Sequence, residues 1–291
     1  MDLKPMSTLC LFCAYFNGES IPAYIRVYLI ELKRHYSVVR LLTNIKELDN
    51  DSMRFLEINQ LELRRYKNEG FDFGMWSKAF KEIGPDDYEE IALVNDSCVL
   101  FRKLDAVMLK IRQSDWDYSG LVYSRSITYH IQSYFVVIRK TIVKTVQDYF
   151  LLHGNKGDFE SVIIDYEVGL SDFLLKKGFK LGTVYETQAD FLLNPSFMKI
   201  KELIQQGFPL IKRKLISGNY RNAEIRGLLL RGFNFNPNDY IKFIHRYGNE
   251  LILDPASMKT DKFNWQLLNF FSRVLSIPLA ILHGLKNLIK K

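Results

Sequence analysis

The 291-residue sequence predicts an α/β fold, in which a mostly parallel sheet carries helices on both faces and is followed by a helical carboxyl-terminal region. Short apolar runs alternate with amphipathic helical patterns as far as residue 190, and this alternation is typical of parallel sheets. Beyond Asn194 and Pro195 the strand patterns stop, and turn residues separate apolar helical segments. We therefore predict one domain over residues 1–190 and a helical region over residues 191–291.

The predicted elements follow one another in chain order. Apolar runs of strand length occupy residues 9–16, 37–43, 55–58, 91–94, 118–123, 131–138 and 179–185. Helical patterns occupy residues 75–83, 104–111, 141–152 and 163–177. An earlier helix, with Ser20 as its cap and Pro22 in its first turn, carries an apolar stripe that ends at Leu32. Gly154 and Gly178 stand where the last two helices end.

Residues 68–97 are the stretch around which the predicted site is built. Two glycines, Gly70 and Gly74, flank Asp72 directly before a predicted helix, so that backbone can approach a ligand closely. The strand predicted at residues 91–94 then ends in an amide, a carboxylate and a hydroxyl, those of Asn95, Asp96 and Ser97. Ligands of open α/β sheets bind at the carboxyl ends of strands, which predicts a phosphate-binding, metal-assisted site.

The net charge of +7 is concentrated in the last third of the chain. Residues 1–190 hold 24 Lys and Arg against 27 Asp and Glu, whereas residues 191–291 hold 16 against 6. A basic region of this kind is typical of proteins that contact an anionic membrane or a nucleic acid, and charge alone leaves both open.

The cysteines indicate a reducing compartment, because three are too few for a disulfide framework. Cys10 and Cys13 form a C-x-x-C motif, but a spacing of three on a strand places the two side chains on opposite faces. We therefore predict buried thiols rather than a zinc or redox site. The amino terminus lacks the pattern of a signal segment, which favours a cytoplasmic protein.

Several polar residues can carry chemistry, and each has a structural alternative. Asp96 offers the oxygen ligands that Mg²⁺ or Mn²⁺ prefers, although an Asp at such a position is more often a turn or cap residue. Glu167 can act as a general base or as a first-turn Glu favoured by the helix dipole. The basic run at residues 209–214 can bind phosphate or anionic lipid, or form a solvated face.

A further polar group precedes the strand predicted at residues 131–138. It consists of His130, Gln132, Ser133 and Tyr134. These side chains can hold an acceptor sugar or assist a metal, although a lone histidine is more often structural.

Five segments resemble, in chain order, the rhamnan-synthesis protein F family of bacterial polysaccharide glycosyltransferases. They read NEGFDFGMW, VNDS, HIQSYFVVIRK, YEVGLS and GFPLIKRKLI, and the resemblance extends over residues 8–216. That family in turn resembles the nucleotide-sugar transferases of the GT-A fold. The resemblance implies a GT-A-like nucleotide-sugar-binding sheet, a nucleotide-sugar donor and a lipid-linked glycan acceptor.

The donor-binding residues of the GT-A pattern are matched in part. Tyr15 and Asn17 are similar to a Tyr-Asn pair that follows the first strand, with one residue inserted here. Asn68 and Gly70 match an Asn-x-Gly loop, and Asp72 lies next to it. The resemblance therefore implies that these residues contact the donor nucleotide.

Two catalytic features of the GT-A pattern are altered. The metal-binding Asp-x-Asp is replaced by Asn95, Asp96 and Ser97, which makes Asp96 the candidate ligand and leaves the need for Mg²⁺ or Mn²⁺ open. A Glu-Asp pair that contains the base is replaced by Tyr166 and Glu167. The resemblance thus implies Glu167 as the base.

The implied activity is the transfer of a sugar, L-rhamnose from a dTDP donor, to a lipid-linked or growing cell-surface polysaccharide. A single base without a second nucleophile favours inversion at the anomeric carbon. The alternative is a non-catalytic glycan-binding or membrane-binding protein on a degenerate transferase fold, which the altered Asp-x-Asp keeps open.

Residues 263–291 are rich in leucine, isoleucine and aromatic side chains, with Lys and Arg between them. Pro278 interrupts an apolar run that is too short to span a bilayer. The pattern predicts an interfacial helix that holds the protein peripherally on the anionic inner face of the cell membrane. A helical hairpin packed on the domain or on a second subunit is the alternative. No nucleic-acid module is recognisable, so we expect no nucleic-acid partner.

Overall fold

The structure, a computed structural model, describes residues 7–187 and 194–213. Strands in this part of the chain are β1 (Thr8–Cys13), β2 (Val38–Thr43), β3 (Glu62–Arg65), β4 (Glu90–Asn95), β5 (Cys98–Leu100), β6 (Tyr118–Gly120), β7 (Tyr123–Ser124), β8 (His130–Ile131), β9 (Phe135–Arg139), β10 (Leu181–Thr183) and β11 (Leu210–Lys212). Helices are α1 (Ala23–Lys33), α2 (Asn50–Ile58), α3 (Phe71–Phe80), α4 (Asp105–Gln113), α5 (Lys140–His153), α6 (Phe159–Val162), α7 (Gly169–Lys176), α8 (Pro195–Met198) and α9 (Ile200–Gln205), with a π-helical turn over Ile163–Val168.

Seven strands form the central sheet in the order β10-β6-β9-β4-β1-β2-β3. β1 pairs in parallel with β2 and β4, and β2 pairs in parallel with β3. β9 runs antiparallel between β4 and β6, so the sheet is mixed in direction at this strand. The predicted α/β fold is confirmed, and the carboxyl ends of β1 and β4 lie side by side.

Side chains of β1 alternate between two hydrophobic cores, one on each face of the sheet. Cys10 and Phe12 pack with apolar residues of α1 and α4, whereas Leu11 and Cys13 pack with those of α3 and α5. Cys10 and Cys13 are free thiols and fully buried. The prediction of two buried thiols on opposite faces is therefore confirmed.

The strand predicted at residues 55–58 is wrong, because these residues end α2. Asp49 caps this helix, and its side chain accepts a hydrogen bond of 2.7 Å from the amide of Ser52. The strand of this region is β3, whose sequence ELRR has no apolar run. An edge strand that carries charges gives no hydrophobic pattern from which to predict it.

The starts of two helices also differ from prediction. Ser20 does not cap α1, which begins at Ala23 behind Pro22 and has no side-chain cap. α3 begins at Phe71 rather than near Met75, because Gly70 with a φ of +80° turns the chain directly into the helix.

Three later segments are divided differently from the predicted elements. Predicted strand 131–138 is interrupted by a turn between β8 and β9, and residues 118–123 form two short strands. The helix predicted at residues 163–177 opens with the π-helical turn, which contains Tyr166 and Glu167. The sequence did not predict these interruptions, because hydrophobic periodicity does not show where a short turn divides an apolar run.

The expectation of no strand beyond residue 194 is wrong. β11 pairs antiparallel with β5, with Leu210 opposite Leu100 and Lys212 opposite Cys98. Leu210 and Ile211 are fully buried in the core that also contains α1. Three residues are too few to give a strand pattern that stands out in the sequence.

In residues 7–187 and 194–213, no helix combines the length and apolar character needed to cross a bilayer. Residues 263–291, for which an interfacial helix is predicted, lie outside the described residues. The same is true of most of the predicted region 191–291.

Candidate active site

The carboxyl ends of β1 and β4 meet where the polar residues of the predicted site lie. β4 ends at Asn95, and the amide of Asp96 donates a hydrogen bond of 3.1 Å to the carbonyl oxygen of Cys13, the last residue of β1. This contact fixes Asp96 at the sheet edge where ligands of open α/β folds bind.

A hydrogen-bond network joins Asp72 to the end of β4. Nδ2 of Asn95 donates to Oδ2 of Asp72 at 2.6 Å. Oδ1 of Asn95 accepts from the amide of Ser97 at 3.1 Å and from its hydroxyl at 2.6 Å. Both ends of the Asn95 amide are engaged, and the structure thus brings three of the predicted donor-site residues together.

The two carboxyl groups of this edge differ in their electrostatic surroundings. Burial raises the pKa of Asp72 to about 7, and the nearby Asp96 carboxylate adds to the rise. Burial also raises the pKa of Asp96, but the Arg213 guanidinium opposes that rise. Asp72 is therefore partly protonated at neutral pH, whereas Asp96 has a cationic partner.

Arg213 neutralises the Asp96 carboxylate. Its Nη1 lies 2.6 Å from Oδ2 of Asp96, whose side chain is 8% exposed, and the hydroxyl of Tyr24 donates to the same oxygen at 3.2 Å. The guanidinium also lies over the Tyr24 ring, 5.0 Å from its centroid. β11 positions this side chain, because the amide of Arg213 donates to the carbonyl of Ser97 at 2.9 Å and continues the pairing with β5.

Lys212 reaches the same edge from β11. Its Nζ lies 3.4 Å from Oγ of Ser97 and 3.9 Å from the centroid of the Tyr134 ring. Among residues 7–187 and 194–213, no carboxylate forms an ion pair with this ammonium group. Lys212 and Arg213 therefore bring two positive charges to the end of β4.

The loop before α3 holds Asp72 against Asn95. The amide of Gly74 donates to the carbonyl of Gly70 at 2.8 Å. A Cβ atom at Gly74 would lie 1.7 Å from the carbonyl oxygen of Glu69, so the tight approach requires glycine there. This close turn places Asp72 in the first turn of α3.

The remaining predicted donor residues lie in loops around this edge. Tyr15 follows β1, and its hydroxyl is buried with no hydrogen-bond partner among the described residues. Asn17 and Asn68 are exposed, and within residues 7–187 and 194–213 neither side chain forms a hydrogen bond. The structure does not join these two asparagines to the network of Asn95.

Glu167 is held firmly on the π-helical turn, with its side chain 17% exposed. Its Oε2 accepts two hydrogen bonds from Ser133, from the amide at 2.7 Å and from the hydroxyl at 2.5 Å. Its Oε1 lies 3.8 Å from Nε2 of His130. Single π-helical turns are frequent at functional sites, and this one brings three predicted residues together.

His130, Gln132 and Tyr134, which lie beside Ser133 in the sequence, are buried. Nδ1 of His130 lies 2.8 Å from the carbonyl oxygen of Thr128, which can only accept, so Nδ1 carries a proton. Oε1 of Gln132 and the hydroxyl of Tyr134 are buried with no partner in the described part of the chain. An unpaired buried polar atom costs about 1–3 kcal/mol, which favours a ligand or water at these atoms.

The turn between β8 and β9 connects the two groups of residues. Ser133 holds Glu167, and the next residue, Tyr134, lies under Lys212 while its carbonyl accepts from the amide of Asn95 at 3.2 Å. The proton acceptor Glu167 contacts Ser133, and the cationic Lys212 contacts the next residue, Tyr134. This arrangement can hold a hydroxyl nucleophile and an anionic leaving group side by side.

A family model confirms the resemblance noted in the sequence. The model of the family described as rhamnan synthesis protein F matches residues 42–263. The chain belongs to this family. Membership in the rhamnan synthesis protein F family gives the protein a role in sugar transfer for polysaccharide synthesis. A comparison of the chain with curated proteins finds no significant match.

The solved structures that resemble this one share little sequence identity with the chain. One from Bacillus anthracis, assigned as a glucose-1-phosphate thymidylyltransferase, is 11% identical with a TM-score of 0.43 over 62% of this chain and 87% of that chain. A 4-diphosphocytidyl-2C-methyl-D-erythritol synthase from Anaerococcus prevotii is 10% identical, with a TM-score of 0.39 over 64% and 91%. HddC from Yersinia pseudotuberculosis is 12% identical, with a TM-score of 0.38 over 63% and 92%.

The residues around Asp96 do not fit a divalent cation of the kind that the GT-A resemblance implies. Asp96 is the one carboxylate of its Asn-Asp-Ser segment, and its Oδ2 is engaged by Arg213 and Tyr24. A hard cation needs several oxygen ligands, whereas the Asn95 oxygen is already bound to Ser97.

The described residues contain one metal-like cluster elsewhere, formed by Glu31 on α1, His35 in the turn after α1 and Asp105 at the start of α4. Arg34 pairs with both of its carboxylates, at 2.8 Å from Glu31 and 3.0 Å from Asp105. A cation already occupies the position that a metal ion would take.

Tyr24 was not predicted from the sequence, and Lys212 and Arg213 were predicted only as members of a basic run that can bind phosphate or anionic lipid, without a place beside Asp96. The basic run at residues 209–214 was the available signal, since it lies in the last segment that matches the rhamnan synthesis protein F family. Its place in the fold depends on β11, which has no strand pattern, so the sequence did not connect this run with Asp96.

Proposed function

We propose that the protein is a glycosyltransferase that moves a sugar from a nucleoside diphosphate donor to a lipid-linked or growing cell-surface polysaccharide. One observation carries the proposal. The Glu167 carboxylate, held by the amide and hydroxyl of Ser133, is linked through Tyr134 to the cationic end of β11. A base and an anion-binding edge are the two requirements for this transfer.

The reaction follows from the chemistry of these two groups. A hydroxyl of the acceptor gives its proton to Glu167 as its oxygen attacks the anomeric carbon of the donor sugar. A bond forms between that carbon and the acceptor oxygen, and the bond to the donor phosphate breaks. The electron pair leaves with the nucleoside diphosphate. A single displacement of this kind inverts the configuration at the anomeric carbon.

The donor that we propose is dTDP-L-rhamnose, and the support is membership in the rhamnan synthesis protein F family. We further propose that the enzyme works at the cytoplasmic face of the cell membrane, held there peripherally by residues 263–291. The basic and apolar composition of that segment supports this location.

The experiment that tests the function compares the full-length protein with Glu167→Gln. Release of nucleoside diphosphate from dTDP-L-rhamnose, UDP-glucose and GDP-mannose is measured with and without a glycan-lipid acceptor extract. We expect turnover with one donor and a loss of about 10²- to 10⁴-fold in Glu167→Gln, since general bases contribute about that much. Glu57→Gln, at an exposed position of α2, is the matched control.

Two results would reject this function. Equal turnover in Glu167→Gln and wild type would remove Glu167 as the base. Absence of turnover with every donor would favour the non-catalytic alternative, a glycan-binding or membrane-binding protein on a degenerate transferase fold.

A further inference from the structure

We propose that Lys212 and Arg213, at the end of β11, bind the diphosphate of the donor and supply the positive charge that a divalent cation supplies in related folds. The proposal rests on the proposed function in one respect, that the donor is a nucleoside diphosphate sugar. It adds two binding residues and a cation-independent mode of leaving-group stabilisation.

The first observation is the ion pair between Arg213 and Asp96. Nη1 of Arg213 lies 2.6 Å from Oδ2 of Asp96, at the carboxyl end of β4. Arg213 thus occupies one of the two carboxylate oxygens that a bridging cation could use. A guanidinium, with five donors in a fixed fork, can bind a carboxylate on one side and a phosphate on another.

The second observation is the position of Lys212. Its ammonium group has three N–H donors and lies 3.4 Å from Oγ of Ser97 and over the ring of Tyr134, with the Cys98 thiol also beside it. Lys212 forms no ion pair with a carboxylate among the described residues, although its charge acts on the Asp72 carboxyl, so the ammonium group can still bind an anionic ligand. Compact lysine ammonium groups are common phosphate-binding groups.

The third observation is the balance of charge at this edge. Lys212 and Arg213 contribute two positive charges, Asp96 contributes one negative charge, and Asp72 is close to half-ionised at neutral pH because burial raises its pKa to about 7. The sum is zero or positive in either state of Asp72. With Asp72 protonated the edge carries a charge of +1 and attracts a diphosphate, and in neither state does it have the excess of negative charge that attracts a divalent cation.

The fourth observation is the contact between Lys212 and Tyr134. Nζ of Lys212 lies 3.9 Å from the centroid of the Tyr134 ring, a cation–π distance. This contact holds the ammonium group at the end of β4.

The experiment measures binding to the full-length protein by calorimetry. The ligands are dTDP, UDP, GDP, inorganic pyrophosphate and thymidine, each in EDTA and in Mn²⁺. The variants are Lys212→Gln, Lys212→Arg and the double variant Asp96→Asn with Arg213→Gln, which leaves no buried carboxylate unpaired. Lys144→Gln, at an exposed position of α5, is the control. Thermal unfolding confirms that each variant is folded.

We expect wild-type protein to bind a nucleoside diphosphate equally in EDTA and in Mn²⁺. Lys212→Gln should weaken this binding about tenfold or more, the usual effect of one charge-assisted contact, and leave thymidine binding unchanged. Lys212→Arg should restore most of the affinity, and the double variant should weaken it as well. Lys144→Gln should bind as wild type does.

The outcomes separate this proposal from the proposed function. Binding that requires Mn²⁺ and persists in Lys212→Gln would overturn the proposal and leave the donor intact. Pyrophosphate binding through Lys212 without binding of any nucleotide would support the anion site and contradict the nucleotide donor. Absence of binding to every phosphate ligand would overturn both.

Anionic lipid is the other source of phosphate for these residues. Co-sedimentation with phosphatidylglycerol vesicles should be the same for wild type and Lys212→Gln. A loss of vesicle binding in Lys212→Gln, with diphosphate binding unchanged, would overturn the proposal and assign the two residues to the membrane.

Discussion

Ser133 donates two hydrogen bonds to a single oxygen of Glu167, from its amide at 2.7 Å and from its hydroxyl at 2.5 Å. Both bonds go to Oε2, so Oε1 remains on the side of His130. Because Ser133 lies in the turn between β8 and β9, this turn sets the position of the Glu167 carboxylate. The orientation of Glu167 thus depends on a neighbour that is far from it in the sequence.

Ser133→Ala should lower kcat and leave the KM for the donor sugar unchanged. The variant loses the hydroxyl donor and keeps the amide, so Glu167 is held by one bond. A hydrogen bond to a charged group is worth about 1.5–3 kcal/mol, which corresponds to a loss of roughly tenfold or more in kcat. Ser133→Thr keeps the hydroxyl and serves as the control. Equal kcat in Ser133→Ala and wild type would show that the hydroxyl does not orient the base.

His130→Asn should also lower kcat without weakening nucleotide binding. In the neutral ring Nδ1 donates to Thr128, so Nε2 presents a lone pair to Oε1 of Glu167 at 3.8 Å. After Glu167 has taken a proton, this nitrogen can accept a hydrogen bond from it. His153→Asn, on α5, is the control for loss of a histidine. A steady-state assay decides, and kcat within about twofold of wild type would contradict the prediction.

The sequence predicts the strand-end part of the site well, because its signals are local. An apolar run that ends in Asn95, Asp96 and Ser97 identifies β4 and its carboxyl end from a few residues. Gly70 and Gly74 indicate a tight turn because only glycine fits where a Cβ would meet the backbone.

The sequence does not predict what lies opposite Asp96. Arg213 reaches it through β11, a three-residue strand that pairs with β5 from more than a hundred positions along the chain. Pairing of this kind depends on the whole fold, and a short strand at an edge carries no periodic pattern. β3 was not predicted either, because its charged residues give this edge strand no hydrophobic pattern.

Gly74→Ala should strongly destabilise the fold. A methyl group at this position would lie 1.7 Å from the carbonyl oxygen and 2.7 Å from the carbonyl carbon of Glu69, and both are backbone atoms that cannot move aside cheaply. We expect a loss of about 1–3 kcal/mol in the free energy of unfolding, measured by urea denaturation. Gly157→Ala, where a methyl group meets no atom within 4 Å, should stay within about 0.5 kcal/mol of wild type. Similar losses in both variants would contradict the prediction.

Asp72 should make the protein less stable as pH rises. Its pKa of about 7 in the folded protein lies above the ordinary value of 3.8, so the folded state keeps a proton that the unfolded state releases. This contribution is complete below pH 3.8 and is lost as pH rises through about 7. A shift of this size corresponds to at most about 4 kcal/mol, and partial exposure of the side chain reduces that figure.

The comparison is between wild type and Asp72→Asn, which keeps an oxygen that can accept from Asn95. The difference between their free energies of unfolding, from urea denaturation at pH 5 and pH 8, cancels the other titrating groups. We expect wild type to lose stability relative to Asp72→Asn between the two pH values. A difference that is the same at both pH values would show that Asp72 titrates as an ordinary carboxyl group.

Removing residues 262–291 should abolish binding to anionic membranes while leaving nucleotide binding intact. The segment combines apolar and aromatic residues with lysines, so that its attachment to lipid has an apolar part and an electrostatic part. Co-sedimentation with phosphatidylglycerol vesicles should therefore be lost in the protein truncated after Asp261, and in the full chain it should weaken as salt is raised. Neutral phosphatidylcholine vesicles are the control for lipid charge. Unchanged binding of the truncated protein would assign membrane contact to another surface, or favour a hairpin that packs against the domain or a second subunit.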